Sequence, residues 1–280
     1  MTGPARPLAG MRVVTLAPNV PGPLAAASLR GAGAEVIKVE PPSGDPLAAM
    51  APAWYAELHR GVDVRVIDLK TQTGSAELDD LLGGADLLLT SSRPSALGRL
   101  GLGGARLDAA FPRLCRVLIV GDTQAPEVPG HDLTYQVKAG LIDPERPVMP
   151  RTLLADVLGS REAYAAALAL LLGRERGSTE RERLVGLGDA AHFAAAPLRA
   201  GLTAPGGLLS GAHDTYGLFP TADGWLAAAP LEPHFAVRWR TLLGEEGPAA
   251  LRAQPSAHWV QLAHEQDLPL VAVTPPEPQP

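Results

Sequence analysis

Cysteine is nearly absent: Cys115 stands alone in 280 residues. An intrachain disulfide and a cysteine-based metal site are both excluded, and no metal is expected. Aromatic residues make up only 4% of the chain, while apolar residues of all kinds reach 46%. The core is therefore predicted to be sizeable, aliphatic and helix-rich, with many turns. There is no basic stretch, and the formal net charge is −6. This argues against nucleic acid as the main partner, although a local patch on an acidic protein can still hold an anionic small molecule. Long apolar runs are missing too. The longest helical one, Ala163 to Leu172, falls well short of the roughly 20 residues a bilayer requires. Met1 to Gly10 has no apolar core of the kind a signal peptide needs. The expectation is a soluble, cytoplasmic chain with no membrane contact.

What is present is an alternation of strands and helices. Strands are predicted at Met11 to Leu16, Glu35 to Glu40, Val64 to Leu69, Asp86 to Thr90 and Arg116 to Val120. Helices are predicted at Leu24 to Gly31, where Pro23 is well placed to begin one, and at Ser75 to Leu82. A long one follows at Asp156 to Arg174, then an Ala-rich stretch from Asp189 to about Ala200. This alternation implies an α/β fold, a Rossmann-like parallel sheet with flanking helices. Ligands of such sheets lie beyond the carboxyl ends of the strands. Gly201 to Gly211 reads as a linker, after which the pattern changes. The expected domains are residues 1–205 and a smaller α+β domain, residues 206–280. The second should hold strands at Trp225 to Ala229 and Pro269 to Val273, helices at Pro233 to Leu243 and Ser256 to His264, and a frayed tail from Thr274.

The loop after the first strand, Ala17-Pro18-Asn19-Val20-Pro21-Gly22-Pro23, lacks the G-x-G-x-x-G glycines that admit a dinucleotide pyrophosphate. A nicotinamide dehydrogenase is disfavoured. No Walker loop, G-x-S-x-G elbow or H-E-x-x-H is present.

Several segments in order carry a resemblance. Leu8-Ala9-Gly10-Met11-Arg12-Val13-Val14 opens the chain, and Gly33-Ala34-Glu35-Val36-Ile37-Lys38-Val39-Glu40-Pro41-Pro42-Ser43-Gly44-Asp45 is the most recognisable stretch. Asp68-Leu69-Lys70, Ala85-Asp86-Leu87, Arg93-Pro94 and Leu100-Gly101-Leu102 follow. From about Leu8 to Val273 the chain resembles the family III CoA-transferases (CaiB/BaiF). Gly130-His131-Asp132-Leu133-Thr134-Tyr135, Leu153-Leu154-Ala155-Asp156 and Leu231-Glu232-Pro233-His234-Phe235 resemble segments of the α-methylacyl-CoA racemase branch. There they carry a catalytic histidine, aspartate and glutamate. The resemblance implies catalytic roles for Asp156, His131 and Glu232. It also implies an acyl-CoA thioester as the partner, with no permanently bound cofactor, and a homodimer that can be intertwined. Arg93, Lys38, Arg60 and Tyr135 are the candidates for holding CoA, Arg93 foremost because Arg93-Pro94 matches a family position.

The chemistry gives these residues roles. Racemising a 2-methylacyl thioester removes the α-proton from one face and returns a proton to the other, which takes two acid/base groups. His131 and Asp156 can form that pair. Asp156 is predicted at the start of a long helix, where the dipole favours a carboxylate and free N–H groups could stabilise an enolate oxygen. A CoA transferase would use the same aspartate as a nucleophile, passing through an aspartyl-CoA thioester, so Asp156 alone does not separate the reactions; His131 favours the racemase. A bland reading stands beside each: Asp156 as a helix cap, His131-Asp132 as a surface turn, Glu232 as a dipole partner.

The chain also departs from the family. Asp63 replaces a usual basic residue. Gly121 to Glu127 is stiffer and more acidic than the usual glycine loop. Val157-Leu158-Gly159-Ser160-Arg161-Glu162 replaces a glycine cluster, and Arg161 and Glu162 would crowd the site unless they point away. The C-terminal return segment usual in the family is not found after Val273, which implies an open ring or a differently built dimer. These departures motivate a third reading, a catalytically weak CoA-binding relative.

Overall fold

A computed structural model describes residues 6–275. The chain divides into two compact units, the first running through Ala194 and the second from Ala195. The glycine-rich linker read at Gly201 to Gly211 thus falls inside the second unit.

The first unit holds strands β1 (Arg12–Thr15), β2 (Glu35–Glu40), β3 (Asp63–Val66), β4 (Leu87–Thr90), β5 (Cys115–Val120) and β6 (Glu182–Gly186). They form one parallel sheet in the order β3-β2-β1-β4-β5-β6. Its helices are α1 (Pro21–Gly31), α2 (Pro46–Met50), α3 (Pro52–Leu58), α4 (Gln72–Gly83), α5 (Pro94–Arg99), α6 (Gly104–Ala110), α7 (Asp132–Lys138), α8 (Leu154–Glu175) and α9 (Leu187–Ala194).

The central strands read as continuous apolar runs because both faces of the sheet are covered. Val13, Leu87, Leu89, Val117 and Ile119 point to one face and pack with Ala25 and Leu29 of α1 and Ala163, Ala167 and Leu170 of α8. Val14, Leu88 and Leu118, one residue out of step, point to the other face. There they meet Leu78 and Leu82 of α4, Leu97 of α5 and Leu107 of α6. The alanines of α8 let that long helix lie close against the strands.

Two differences from the sequence reading concern edges. The sixth strand, Glu-Arg-Leu-Val-Gly, was not expected. It begins with two charged residues and only its last two are buried. At the opposite edge, β3 is exposed along its whole length and ends before Leu69. Edge strands are covered on fewer sides, so their sequences carry a weaker apolar pattern.

The second unit contains an antiparallel sheet, β7 (Gly217–Pro220), β8 (Trp225–Ala228) and β9 (Leu270–Ala272), in that order. Helices α10 (Ala196–Arg199), α11 (Pro233–Leu243) and α12 (Ser256–Glu265) accompany it. Trp239 fills its centre, fully buried among Leu226, Leu243, Leu251 and Leu270, and its indole N–H donates to the backbone oxygen of Asp214 at 2.7 Å. Of the tail predicted to fray from Thr274, residues 276–280 lie outside the described residues.

Candidate functional site

The order of the large sheet reverses at β1. The chain moves outward through β2 and β3, then returns to lay β4 on the other side of β1. Loops leaving neighbouring strands at such a point diverge and open a crevice beyond their carboxyl ends. A cavity of about 670 Å³ lies there. Pro18 to Pro21 after β1, Ser91 and Arg93 after β4, and Ile119 to Gly121 at the end of β5 form part of its wall. Pro46 and Met50 of α2, the 126–135 segment leading into α7, and Leu153 and Asp156 at the start of α8 complete most of the rest.

Four of the seven candidate residues meet in this cavity: Asp156, His131, Tyr135 and Arg93. Asp156 is the third residue of α8 and half-buried. Its backbone N–H donates to Oδ1 of Asp132 at 3.1 Å. Asp132 is itself buried, 4% exposed, and its Oδ2 accepts from the Gln136 amide at 2.6 Å. That amide also reaches the backbone oxygen of Thr152 at 3.2 Å. The start of α8 is thus tied to α7 through one carboxylate. Burial, and secondarily the Asp132 charge, push the Asp156 carboxyl from 3.8 up to about 6. A carboxyl in that range can give or take a proton near neutrality. The N–H groups of Leu154 and Ala155 precede any intrahelical acceptor, whereas that of Asp156 is committed to Asp132.

His131 caps the start of α7 and is exposed toward the cavity. Its backbone is held from both sides by Thr134: the His131 N–H donates to Oγ1 at 3.1 Å, and the Thr134 hydroxyl donates to the His131 oxygen at 2.7 Å. Tyr135 is buried at 6% exposure. Its phenol is raised above its ordinary pKa by burial and then by the Asp156 charge. Two glycines make room for its ring. A Cβ on Gly121 would come within 2.6 Å of the phenol oxygen, and one on Gly130 within 2.5 Å of Cε1. Arg93 is the one lysine or arginine among the described residues lining the cavity. It precedes α5, whose first turn is fastened by Glu127: the Ser95 N–H and hydroxyl donate to that carboxylate at 2.8 and 2.7 Å.

Two of the other candidates, Lys38 and Arg60, lie elsewhere in the first unit. Lys38 is buried at 2% exposure, and its ammonium bonds Asp45, Glu40 at 3.1 Å and His59 at 2.8 Å. Arg60 is exposed in the turn after α3 and does not line the cavity. Glu232 belongs to the second unit, where it is the exposed residue preceding α11. Glu40, Asp45 and His59 present donor atoms within 4.8 Å of one another, as a metal site would, but the Lys38 ammonium already bonds all three.

A second cavity, about 680 Å³, opens where α4 starts. Lys70, Thr71, Gln72 and Ser75 line it with Arg99, the last residue of α5. The acidic departures have structural partners. Asp63 pairs with Arg65 at 2.8 Å, and Asp122 accepts the Gln124 N–H at 2.8 Å. Arg161 reaches Ser28 at 3.3 Å, and neither it nor Glu162 lines the first cavity. The sequence reading missed Asp132 and Arg99. The spacing of Asp132 and Gln136, one helical turn apart, was the available signal for the first.

The family profile described as CoA-transferase family III matches residues 8–274. A probable fatty acyl-CoA transferase of Mycobacterium tuberculosis, Rv3272, is 33% identical over 192 residues, which is 62% of this chain and 49% of that protein. Alpha-methylacyl-CoA racemase of Mus musculus is 29% identical over 273 residues, 91% of this chain and 69% of that protein. A crystal structure of Rv3272 superposes with a TM-score of 0.85 at 28% identity, covering 98% of this chain and 84% of that one. The chain spans under half the length of the first curated relatives it matches, 49%, 31% and 34%. No helix among the described residues is long and apolar enough to cross a membrane.

Proposed function

Since the chain belongs to the CoA-transferase family III, we propose that it acts on CoA thioesters as a 2-methylacyl-CoA racemase or epimerase, by removal and return of the α-proton. The observation that carries this reading is the meeting of His131 and Asp156 in one cavity, with Asp156 poised at about 6. One group takes the proton and the other supplies one to the opposite face. The positive end of α8, which Leu153 and Asp156 bring to the cavity wall, favours the charge that develops on the enolate oxygen. CoA contributes only as part of the substrate.

Arg93 and Arg99 stand at the two ends of α5, roughly 9 Å of helix, Arg93 at the first cavity and Arg99 with Lys70 at the second. An extended CoA thioester would place its acyl end in the first cavity and a phosphate-bearing end near Lys70 and Arg99. The partnered positions of Asp63, Asp122 and Arg161 support a working enzyme over a weak binding relative, because none of them intrudes on the first cavity.

The test is deuterium uptake. In heavy water, one epimer of a 2-methylacyl-CoA should gain α-deuterium and drift to a mixture of both epimers. Asp156→Asn and His131→Ala should each stop this. Absence of exchange across several acyl chains would sink the racemase reading. A second reading, CoA transfer between carboxylic acids, is favoured by the transferase names among the relatives. It predicts a covalent CoA adduct at Asp156, visible by mass spectrometry of the protein mixed with acyl-CoA.

A further inference from the structure

Lys38 takes no part in the chemistry above, yet it is among the most deeply buried charges in the chain. Its three N–H donors face three acceptors: Asp45 Oδ2, Glu40 Oε1 at 3.1 Å and His59 Nε2 at 2.8 Å. For Nε2 to accept, the His59 proton must sit on Nδ1, which lies 2.7 Å from the backbone oxygen of Tyr55. Burial holds the imidazole below its ordinary pKa, and the Lys38 charge adds to that; both fit a neutral ring. The Tyr55 hydroxyl closes the cluster by donating to Glu40 at 2.7 Å. Buried ion pairs of this kind are poor stabilisers compared with apolar packing, which raises the question of what else the cluster does.

The second oxygen of Asp45 points to an answer. Oδ1 accepts two backbone N–H groups, from Leu47 at 2.9 Å and from Asn19 at 3.0 Å. The first starts α2. The second pins a residue with φ +63°, a left-handed conformation shared by only one other non-glycine residue among those described. Asn tolerates that region better than most residues but does not prefer it. Asn19 is part of the cavity wall, and so is Pro46, next to Asp45.

We infer that the buried Lys38–Asp45 pair is a positioning device for the substrate cavity: Lys38 orients the Asp45 carboxylate, which fixes Asn19 in its left-handed turn and α2 beside it, setting the wall that the thioester meets. The inference rests on the CoA-thioester reading for the identity of the ligand.

Its test combines calorimetric affinity of the full chain for a saturated acyl-CoA with hydrogen exchange at the Asn19 amide. Asp45→Ala removes the acceptor and Lys38→Met removes the cation. Each should weaken binding and speed Asn19 exchange by about tenfold. Asp45→Asn keeps an oxygen for both N–H groups, so adding it to Lys38→Met should restore slow exchange and most of the affinity. Adding Asp45→Ala should restore neither. A purely structural role predicts no such split between Asn and Ala. If Lys38→Met does not fold, the two single Asp45 variants decide alone, with Asn near wild type and Ala weakened. Unchanged Asn19 exchange in Asp45→Ala overturns the inference. A wild-type chain that binds no acyl-CoA overturns the proposed function instead, while Asn19 exchange still judges the link.

Discussion

Two pairs of acidic side chains are wholly or partly buried within the first unit, and they are answered differently. Glu40 and Asp45 surround a lysine whose charge and three donors are matched to them and to His59. Asp132 and Asp156 have no such cation. Asp132 is satisfied by the amide of Gln136 and the backbone of Asp156, and Asp156 is left with a raised pKa. The same residue type thus serves two ends. With a resident cation, the carboxylates become fixed points of structure. Without one, a carboxyl group keeps a proton that can move in the pH range where enzymes work.

The largest effect should come from removing the movable proton. Asp156→Asn keeps the shape and hydrogen-bonding size of the side chain but cannot act as base or nucleophile. It should lower α-proton exchange by roughly 10²–10⁴-fold, measured by deuterium uptake into acyl-CoA. A change of less than tenfold would place the chemistry elsewhere. Next in size is the removal of the fixed cation. Lys38→Met leaves two carboxylates buried without a neutralising charge, and denaturant unfolding should show a loss of about 3 kcal/mol. A loss under about 1 kcal/mol would mean that water already reaches the cluster.

The contrast between the pairs was only partly legible in the sequence. The alternation of Val13-Val14, Ile37, Leu87-Leu88-Leu89 and Val117-Leu118-Ile119 with helical segments was enough for a parallel sheet, because those strands are buried on both faces. The edge strand Glu182–Gly186 was not, since solvent lets it carry charge. Asp156, His131, Tyr135 and Arg93 were found through motif resemblance and do share a cavity. Lys38 is a phosphate-ligand candidate only as a cation near a strand end, and nothing in a strand sequence tells such a lysine from one turned inward. Its partners Asp45 and His59 lie seven and 21 residues away, beyond any local pattern. Asp132 looked like a surface turn because the carboxylate's burial depends on α8, whose start lies more than 20 residues later.

A smaller effect tests the cost of leaving Asp156 without a cation. Its folded pKa is raised, so the folded state holds this proton more tightly than the unfolded chain does. The associated stability is fully present below about pH 4 and is lost as pH rises through about 6. Asp156→Asn removes that penalty. The variant should match wild type in thermal unfolding near pH 4 and exceed it by roughly 1–2 kcal/mol at pH 7.5, allowing for partial solvent access. Equal stability at both values would mean that the carboxylate finds a compensating donor on ionisation.

The smallest effect separates the two causes of the raised pKa. If Asp156 acts as a base, exchange should rise with pH along a limb centred near 6. Asp132→Asn removes the neighbouring charge but keeps an oxygen for the Asp156 N–H, so the start of α8 should stay in place. Burial is the larger cause and Asp132 the lesser, so the limb should move to lower pH without reaching the ordinary carboxylate range. The variant should then outpace wild type at pH 5 and match it at pH 7.5. A limb that stays where it is would strip Asp132 of any electrostatic role. A uniform fall in rate at every pH would show that its main contribution is mechanical, through the hydrogen bonds to Asp156 and Gln136, and that the lone carboxyl owes its tuning to burial alone.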